Sequence, residues 1–316
     1  MVSFLLILAL AIIAAGSRPV RASGSQTGDR GMTAMLIGAG DINDCSKPEG
    51  AESTAQILEA YPRATIFAAG DLAYFSGSND AFRCYDKTWG RPALRERTRP
   101  AVGNHEYVTW GAAGFFRYWR KAREAKAWEI TGGDLEKGYY SYNLGAWHVV
   151  VINSECADSP VFGHGAPSCD QGSEQEQWLR EDLKRFPVAC TLAYWHHPLF
   201  NNGANHGGSR KMKPIWQALC EYGADVVITG HEHDYERFSP QTAEGVLDGT
   251  RGIREFVVGT GGKMEKGHFA SDHHSEHQEK GVFGVLKLTL HPKSYEFEFI
   301  RGGDGKVLDW GGDACH

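Results

Sequence analysis

The sequence predicts an α/β domain, on three observations. Nine short apolar runs, rich in Val, Ile and Phe and often ending near a glycine, have the length and composition of buried strands. Helix-like segments lie between several of the earlier runs, whereas the runs after Arg251 follow one another closely. Alternating strands and helices followed by successive strands describe an α/β domain whose later sheet is mainly antiparallel.

Each predicted element has its own signal in the chain. The predicted strands are residues 33–40, 64–70, 99–106, 147–154, 189–197, 224–233, 253–262, 284–291 and 294–302. The predicted helices are residues 50–61, 174–186 and 213–223, with a further helical segment of aromatic residues at 114–119. Ser173 and Glu176 have the spacing of a capping box, which favours a helix start there. No repeat or long linker interrupts the chain, so residues 33–316 are expected to form a single domain.

Composition limits the classes of partner. The chain has 316 residues and 41% hydrophobic content, which is enough for a packed core. Its formal net charge of -6 gives no general attraction to nucleic acid or to an anionic membrane. Any binding of phosphate groups must therefore depend on local cations at a site.

The amino terminus has the pattern of a secretory signal. An apolar run at 4–15 is too short to span a bilayer and is followed by small residues and the triplet at 20–22. We predict cleavage after Ala22, so that residues 1–22 form a signal peptide and the protein is secreted or periplasmic. No Lys or Arg precedes the run, and an uncleaved membrane tether is the alternative.

Export would make disulfides favourable among the seven cysteines, of which at least one must stay unpaired. They are Cys45, Cys84, Cys156, Cys169, Cys190, Cys220 and Cys315. We predict one pair between Cys45 and Cys84, which lie in polar loops after strand ends, and another between Cys156 and Cys169, which bracket a Gly/Pro/Ser loop. The cysteines at 190 and 220 adjoin apolar segments. For each of them, a disulfide and a small buried thiol side chain are equally favoured alternatives.

Residues of the types that bind metals follow the ends of five predicted strands. They are Asp41 in "GAGDIN", Asp71 in "AAGDLAYF", Asn104 and His105 in "VGNHE", His196 in "LAYWHHP", and His231 and His233 in "ITGHEH". Strand ends in open α/β sheets converge on one crevice. Oxygen and nitrogen donors in this number suit a pair of transition-metal ions. We therefore expect the last two histidines to bind different metals, with Glu232 turned away between them.

The ordered motifs "GDIN", "GDLAY", "GNHE", "HHP" and "GHEH" resemble those of the calcineurin-like metallophosphoesterase superfamily. Within it, the chain most resembles the purple acid phosphatases in their short, secreted bacterial form. The resemblance extends over about residues 35–301 and implies a four-layer αββα sandwich with the metals at the strand tips. It also implies a compact form, since no room precedes Met35 for the amino-terminal β domain of large plant purple acid phosphatases.

The resemblance implies two ligand sets that share one carboxylate. The first metal would be bound by Asp41, Asp71, Tyr74 and His233, and the second by Asp71, Asn104, His196 and His231. Tyr74 is the distinguishing residue, because purple acid phosphatases use this tyrosine in place of a histidine that the wider superfamily has at position 43. A phenolate favours a trivalent ion, so the expected cofactors are Fe(III) and a divalent Fe, Zn or Mn. Asn43 itself is expected to be a loop residue, with a weak extra ligand as the alternative.

The implied reaction is hydrolysis of a phosphate monoester by attack of a metal-bound hydroxide on phosphorus. His105 is expected to donate a hydrogen bond to the phosphate. His206, in the loop "FNNGANHGG", is expected to protonate the leaving group, although Asn205 stands where some relatives have a second histidine. His197 occupies the variable position of the His-x-Pro motif and is expected to be a structural or rim residue.

Two other functions stay open from the sequence. The same metal pair could hydrolyse phosphodiesters or nucleic acid, although the acidic net charge disfavours this, and a non-catalytic metal- or phosphate-binding protein would require a broken ligand set. The expected partner is a small phosphate ester, with no nucleic acid and no stable membrane association after signal cleavage. Residues 257–263, "VVGTGGK", are expected to form a tight turn near the crevice, and the histidine-rich residues 268–278 a solvated segment rather than an accessory metal site or lid.

Overall fold

The computed structural model describes residues 33–125, 128–156 and 164–316. The signal peptide predicted at 1–22 lies outside these residues. Within the described ranges, no helix has the length and apolar character that crossing a membrane requires.

Strands and helices alternate through most of the chain. The strands are Ala34–Ala39 (β1), Asn43–Asp44 (β2), Thr65–Ala69 (β3), Ala73–Tyr74 (β4), Thr98–Ala101 (β5), Gly132–Asp134 (β6), Tyr139–Leu144 (β7), Trp147–Val151 (β8), Thr191–Tyr194 (β9), Val226–Thr229 (β10), Tyr235–Phe238 (β11), Arg254–Val258 (β12), Ser275–Glu279 (β13), Gly284–His291 (β14), Ser294–Arg301 (β15) and Val307–Ala314 (β16). The α-helices are Glu49–Ala60 (α1), Asn79–Tyr85 (α2), Pro92–Arg95 (α3), Asn104–Tyr107 (α4), Ala113–Ala125 (α5), Glu174–Arg185 (α6) and Lys213–Glu221 (α7), with 3-10 turns at Trp110–Ala112 and Arg210–Met212.

Two large sheets form the centre of the fold. One has the strand order β16-β15-β14-β1-β3-β5, and the other has the order β13-β11-β12-β10-β9-β8-β7-β6. In the first sheet β1, β3 and β5 are parallel, and β14 to β16 add antiparallel neighbours. In the second sheet β8, β9, β10 and β12 are parallel. Each sheet thus contains a group of parallel strands whose carboxyl ends lie at one edge, at one side of the first sheet and in the middle of the second.

The side chains of the central strands separate the layers. In β8, Val149 and Val151 belong to the large core, which includes residues of both sheets, whereas Val150 belongs to a second core with Leu179 of α6 and Ile215 of α7. Alternate residues of a strand point to opposite faces, so this sheet is buried on both sides. On the other sheet, α1 packs against β14. The order helix, sheet, sheet, helix confirms the predicted αββα sandwich.

The structure confirms all nine predicted strands and the four helical segments, and it corrects the arrangement of the later strands. These strands do not form one sheet, because β12 joins β10 in parallel while β14 to β16 extend the other sheet. Additional strands with weak signals were missed, including the polar Ser275–Glu279 and the glycine-containing Val307–Ala314. At the start of α6, Ser173 Oγ accepts a hydrogen bond from the Glu176 amide at 3.3 Å, as the capping spacing predicts.

Three disulfides connect the described cysteines. The predicted pairs Cys45–Cys84 and Cys156–Cys169 are confirmed. The third disulfide joins Cys190, just before β9, to Cys315 after the last strand. The sequence left open whether Cys190 forms a disulfide, and the structure shows that it does. The remaining thiol is Cys220, which is half-buried.

Candidate metal centre

The predicted ligands lie where parallel strands of both sheets end. Asp41, Asp71 and Asn104 follow β1, β3 and β5, and His196 and His231 follow β9 and β10, each within three residues of the strand. Backbone hydrogen bonds join the two groups of strand ends, since the Gly40 amide donates to the Val258 carbonyl at 2.8 Å. The crevice predicted from the sequence is therefore formed between the ends of two sheets.

Three of these residues have a backbone conformation that side chains rarely adopt. The φ angles are 60° for Asp41, 53° for Asp71 and 72° for His231. Positive φ at a residue other than glycine costs about 1–3 kcal/mol and occurs preferentially at functional sites. The adjacent Gly230 allows close approach, because a Cβ there would lie 2.6 Å from Asp41 Oδ2. The loops are thus held in strained conformations that direct polar side chains into one space.

One half of the centre contains the residues predicted for the first metal. The Tyr74 hydroxyl lies 2.7 Å from Asp41 Oδ1 and 3.1 Å from Asp71 Oδ2. His233 Nε2 lies 3.3 Å from that hydroxyl and 3.3 Å from Asp41 Oδ1. Four donor atoms of types that bind iron therefore face one another at short range.

The other half contains the residues predicted for the second metal. His196 Nε2 lies 3.0 Å from Asn104 Oδ1 and 3.2 Å from His231 Nδ1. Two imidazole nitrogens and an amide oxygen therefore face one another at short range, and all three are donor types that bind transition metals. This is the arrangement expected where a cation binds.

Asp71 connects the two halves. Its Oδ2 atom is 3.1 Å from the Tyr74 hydroxyl and 3.3 Å from His196 Nε2. Its Oδ1 atom accepts the His105 amide at 2.9 Å, which fixes the carboxylate plane. The side chain is almost fully buried, with only 1% of the residue exposed. Asp71 is therefore placed to bridge two ions.

The charges of these buried groups are strongly linked. Burial opposes ionisation of Asp71 and His196, but their attraction outweighs it, so the pKa of Asp71 is lowered and the pKa of His196 is raised to about 10. Burial and the neighbouring histidines lower the pKa of His231 to about 2, which keeps its ring neutral. Burial, Asp41 and Asp71 raise the pKa of the Tyr74 hydroxyl. If Asp41, Asp71 and Tyr74 are all ionised, their negative charges need positive charge nearby. The donor set therefore fits two cations.

Two of the predicted ligand histidines have partners that orient their rings. His196 Nδ1 lies 2.9 Å from the Ala69 carbonyl, and His233 Nδ1 lies 3.6 Å from Glu265 Oε1. A proton on Nδ1 in each ring leaves Nε2 free to bind a metal, as in metal sites where a carboxylate or carbonyl fixes the tautomer. Glu265 was not among the predicted site residues, because nothing in its spacing from His233 predicts this contact.

Glu106, the last residue of "GNHE", was also missed as a part of the site. It is fully buried, and its carboxylate accepts hydrogen bonds of 2.9–3.2 Å from the amides of Asp71, Leu72, Ala73 and Gly103. Burial and the charge of Asp71 raise the pKa of Glu106, whereas the donated amides favour the ionised form. One carboxylate therefore joins the loop after β3 to the loop after β5.

We expect Glu106→Gln to lower the free energy of unfolding by about 2–4 kcal/mol, since the new amide group would leave two buried N–H donors without an acceptor. Chemical denaturation monitored by circular dichroism measures this change. Glu176→Gln is the matched control, because Glu176 is equally buried in α6, away from the centre. Equal unfolding midpoints for the parent and Glu106→Gln would contradict the role of Glu106.

The two predicted catalytic histidines lie at the open side of the centre. His105 Nε2 is 3.8 Å from Asp71 Oδ2, and its ring centroid is 4.3 Å from that of Tyr74. The ring of His206 is 4.8 Å from that of His231 and 35% of its side chain is exposed. The structure thus brings both histidines next to the predicted ligands.

Asn43 and His197 have contacts of their own. Asn43 is not the expected loop residue, because it lies buried in β2, where its Oδ1 accepts a hydrogen bond from Thr88 Oγ1 at 3.0 Å. His197 has structural contacts beside the centre, since its ring lies 4.4 Å from that of His231 and its Nδ1 lies 3.0 Å from Ser154 Oγ, and 16% of its side chain is exposed. Its burial lowers its pKa to about 3. His197 packs beside the centre as a neutral ring.

The glycine-rich turn supports Asp41 rather than presenting free amides. The amides of Gly262 and Lys263 donate to the Asp41 carbonyl at 2.8 and 2.9 Å. In the histidine-rich segment, His274 Nε2 lies 3.0 Å from the Gly245 carbonyl, and His277 Nε2 lies 3.1 Å from Glu279. Among the described residues, no cluster of three or more potential metal ligands includes a residue of this segment.

Comparisons with known proteins agree with this geometry. The family profile of calcineurin-like phosphoesterases matches residues 36–235. Purple acid phosphatase 15 of Arabidopsis thaliana is 33% identical over 133 residues, which cover 40% of this chain and 23% of that protein. Phosphoenolpyruvate phosphatase of Allium cepa is 26% identical over 300 residues, which cover 85% of this chain and 58% of that protein.

A solved structure shows the same fold. Purple acid phosphatase PPD1 from yellow lupin, Lupinus luteus, aligns with a TM-score of 0.66 at 19% identity, over 89% of this chain and 54% of that one. The chain spans less than two thirds of the length of each of these three relatives. The matched family profile covers more than half of the chain and includes the five motifs predicted to bind metals. The chain therefore belongs to the calcineurin-like phosphoesterase family, and within that family it is similar to purple acid phosphatases.

Proposed function

We propose that this protein is a dinuclear-metal phosphatase that hydrolyses phosphate monoesters. The observation that carries the proposal is the position of Asp71 Oδ2, at 3.1 Å from Tyr74 and 3.3 Å from His196, between two complete sets of donor atoms. Such a carboxylate is the expected bridge of a two-metal site for phosphoryl chemistry. The phosphatase relatives support the same reaction class.

Bound at these residues, two metal ions would supply Lewis acidity for the phosphate oxygens and lower the pKa of water to near neutrality. The first ion would be held by Asp41, Asp71, Tyr74 and His233, and the second by Asp71, Asn104, His196 and His231. We propose Fe(III) for the first position, because a buried phenol between two carboxylates ionises only beside a cation of high charge. The second ion is proposed to be Fe, Zn or Mn.

His105 is placed to bind the phosphate. Its Nδ1 donates to the Phe75 carbonyl at 2.8 Å, so the ring presents Nε2 to the open side of the centre. A proton on Nε2, which lies 3.8 Å from Asp71 Oδ2, would let the ring donate a hydrogen bond to a phosphate oxygen. His105 would thereby stabilise negative charge on the phosphate during transfer.

His206 is placed to protonate the leaving group. Its Nδ1 lies 3.4 Å from Glu232 Oε2, and this carboxylate raises the pKa of the histidine. A ring that keeps its proton on Nδ1 for Glu232 can deliver the proton on Nε2 to the departing oxygen. The partly exposed position of His206 leaves room for the alcohol portion of a substrate.

We expect His206→Ala to slow hydrolysis of monoesters with poor leaving groups about 100-fold, and of those with good leaving groups less than tenfold, because general-acid catalysis matters most where the departing oxygen needs a proton. The slope of log kcat against leaving-group pKa measures the difference. His268→Ala in the histidine-rich segment is the control and should keep the parental slope. An equal loss on both classes of substrate would rule out His206 as the acid.

The site is proposed to operate outside the cytosol. Three disulfides are most stable in an oxidising compartment, and the pattern of residues 1–22 fits a secretory signal. Amino-terminal sequencing of the exported protein tests this proposal, with a new terminus after Ala22 as the expected result. Retention of residues 1–22 would favour the membrane tether instead.

Phosphodiester hydrolysis is the competing activity, since the same two ions could act on a diester. The net charge of -6 disfavours long polyanionic substrates, and this supports a small monoester. The deciding experiment compares initial rates on an aryl phosphate monoester and the matching diester, from acidic to alkaline pH, with iron and zinc supplied. We expect a strong preference for the monoester. A diester preference would replace the proposal, and no hydrolysis by a fully metallated protein would favour a binding function.

A further inference from the structure

Glu232 lies between the predicted ligands His231 and His233, and its carboxylate holds the next loop. The residue is fully buried. Its Oε2 atom accepts the His206 amide at 2.9 Å, and its Oε1 atom accepts the Asn205 amide at 3.2 Å. From the sequence, Glu232 was expected only to turn away from the metals. Its partners show that it turns towards the loop that carries the proposed acid.

Further contacts make this loop fit closely around the carboxylate. Asn201 Nδ2 donates to Glu232 Oε2 at 3.1 Å, and His206 Nδ1 lies 3.4 Å from the same oxygen. Gly203 packs on the side chain so closely that a Cβ there would lie 2.1 Å from Glu232 Cδ. The positive charge of Lys280 lies 3.9 Å from Oε1. The carboxylate is therefore the central acceptor of the second half of the loop.

The amides of Phe200 and Asn202, in the first half of the loop, have acceptors other than Glu232, although the Asn201 side chain between them donates to it. The Phe200 amide donates to Glu255 at 3.2 Å, and the Asn202 amide donates to Glu236 at 2.8 Å. Glu236 lies in β11 and Glu255 in β12, so these anchors belong to the sheet rather than to the turn that carries the metal ligands. The two halves of the loop should therefore respond differently when the ligand turn changes.

The backbone of Glu232 is part of the ligand turn. The His231 amide donates to Asp41 Oδ2 at 2.8 Å, and the Asp234 amide donates to the Glu232 carbonyl at 2.8 Å. Ions that fix the rings of His231 and His233 would thus fix the residue between them. Restricting this turn restricts the position of the Glu232 carboxylate.

We propose that Glu232 is a positioning residue that couples the two metal sites to His206. Metal binding at the flanking histidines holds the turn, and Glu232 then holds residues 203–206 over the centre. The catalytic part of this inference rests on the proposed function, whereas the coupling of the loop to metal does not.

Amide hydrogen exchange of the mature protein tests the coupling, with the chelator-treated protein compared before and after addition of Zn²⁺ alone. We expect Zn²⁺ to slow exchange of the Asn205 and His206 amides about tenfold, a typical size for coupling between sites. The Phe200 and Asn202 amides should change little, since their acceptors lie in the sheet. Unchanged exchange at His206 in a protein that binds two equivalents of zinc would overturn the proposal.

Glu232→Gln should abolish the zinc-dependent slowing at His206 while zinc still binds. The matched control is Glu236→Gln, which should speed exchange of the Asn202 amide but keep the zinc response of His206. The same zinc response at His206 in Glu232→Gln and in the parent would contradict the role of Glu232.

Gly203→Ala provides an independent test, because the added Cβ pushes the loop off Glu232 without changing the carboxylate or either histidine. If Glu232→Gln folds poorly, this variant tests the coupling between zinc binding and the His206 loop in its place. We expect zinc binding to persist and the slowing at His206 to be lost, and a retained response would argue against the coupling.

Leaving-group dependence separates positioning from general support of the fold. Glu232→Gln should lose about 10–100-fold in kcat on poor leaving groups, in the range typical of residues that orient other active groups, and much less on good ones. A uniform loss on both would indicate a structural role only. If the parent hydrolyses neither monoester nor diester, the proposed function fails, but the zinc-dependent exchange still reports on the coupling.

Discussion

Asp71→Ala should lose both metal ions and reduce phosphatase activity at least about a thousandfold. Asp71 Oδ2 is the atom that both halves of the centre share, so its removal takes a ligand from each ion at once. The ions are expected to contribute several kcal/mol to stabilising the transition state, and each 1.36 kcal/mol is a factor of ten in rate. Metal content by elemental analysis and kcat/KM on an aryl monoester measure the two effects.

Asp225→Asn is the matched control for this variant. Asp225 is also a buried carboxylate, and it accepts the Thr191 amide at 2.8 Å, but it lies at the start of β10, at the opposite end of the strand from His231. We expect it to lose some stability and to retain both metals. Two equivalents of metal in folded Asp71→Ala would show that this carboxylate does not bridge the ions.

Local patterns in the chain predicted the strand tips well, and the reason is physical. A short apolar run followed at once by Asp, Asn or His carries both the strand and the donor in one stretch of sequence. Six of the seven predicted ligands follow strand ends, and the structure brings them into one space with Tyr74, which only the resemblance to purple acid phosphatases implied. Parallel strands that end at a common edge convert separate motifs into one site.

Contacts between distant segments could not be predicted in the same way. Glu106 accepts amides of residues 71–73, and Glu265 faces His233, yet each reads in the sequence as an ordinary acidic residue. Cys190 and Cys315 are separated by 125 positions, so only the folded chain shows that they pair. Likewise, the division of the later strands between two sheets depends on which edge each strand meets, and no local pattern encodes that choice.

The loop of His206 shows the same limit on a smaller scale. Its glycines and asparagines predict a flexible turn, and nothing in "FNNGANHGG" reveals that the turn closes around a carboxylate 26 to 31 positions later. The function of Glu232 thus depends on two neighbours of different kinds, the metal ligands beside it in sequence and the loop beside it in space.

Tyr74→Phe should abolish the visible absorption band of the protein reconstituted with iron, if the first ion is Fe(III) as we propose. The band would arise from phenolate bound to the ion, and phenylalanine has no oxygen to bind. The ring itself fits the same space, since the hydroxyl is the part that contacts Asp41 and Asp71. Absorption spectra of the parent and the variant, taken at equal iron content, measure the change.

A control variant tests whether the band depends on the Tyr74 oxygen or on any buried tyrosine. Tyr85 is also fully buried, and its hydroxyl has no hydrogen-bond partner among the described residues, so Tyr85→Phe should keep the band. A band that persists in iron-loaded Tyr74→Phe would exclude this phenolate as the ligand. In the parent protein, the Tyr74 hydroxyl would then be neutral and would donate a hydrogen bond to Asp41. Burial and the two carboxylates favour this neutral form, because they raise the pKa of Tyr74.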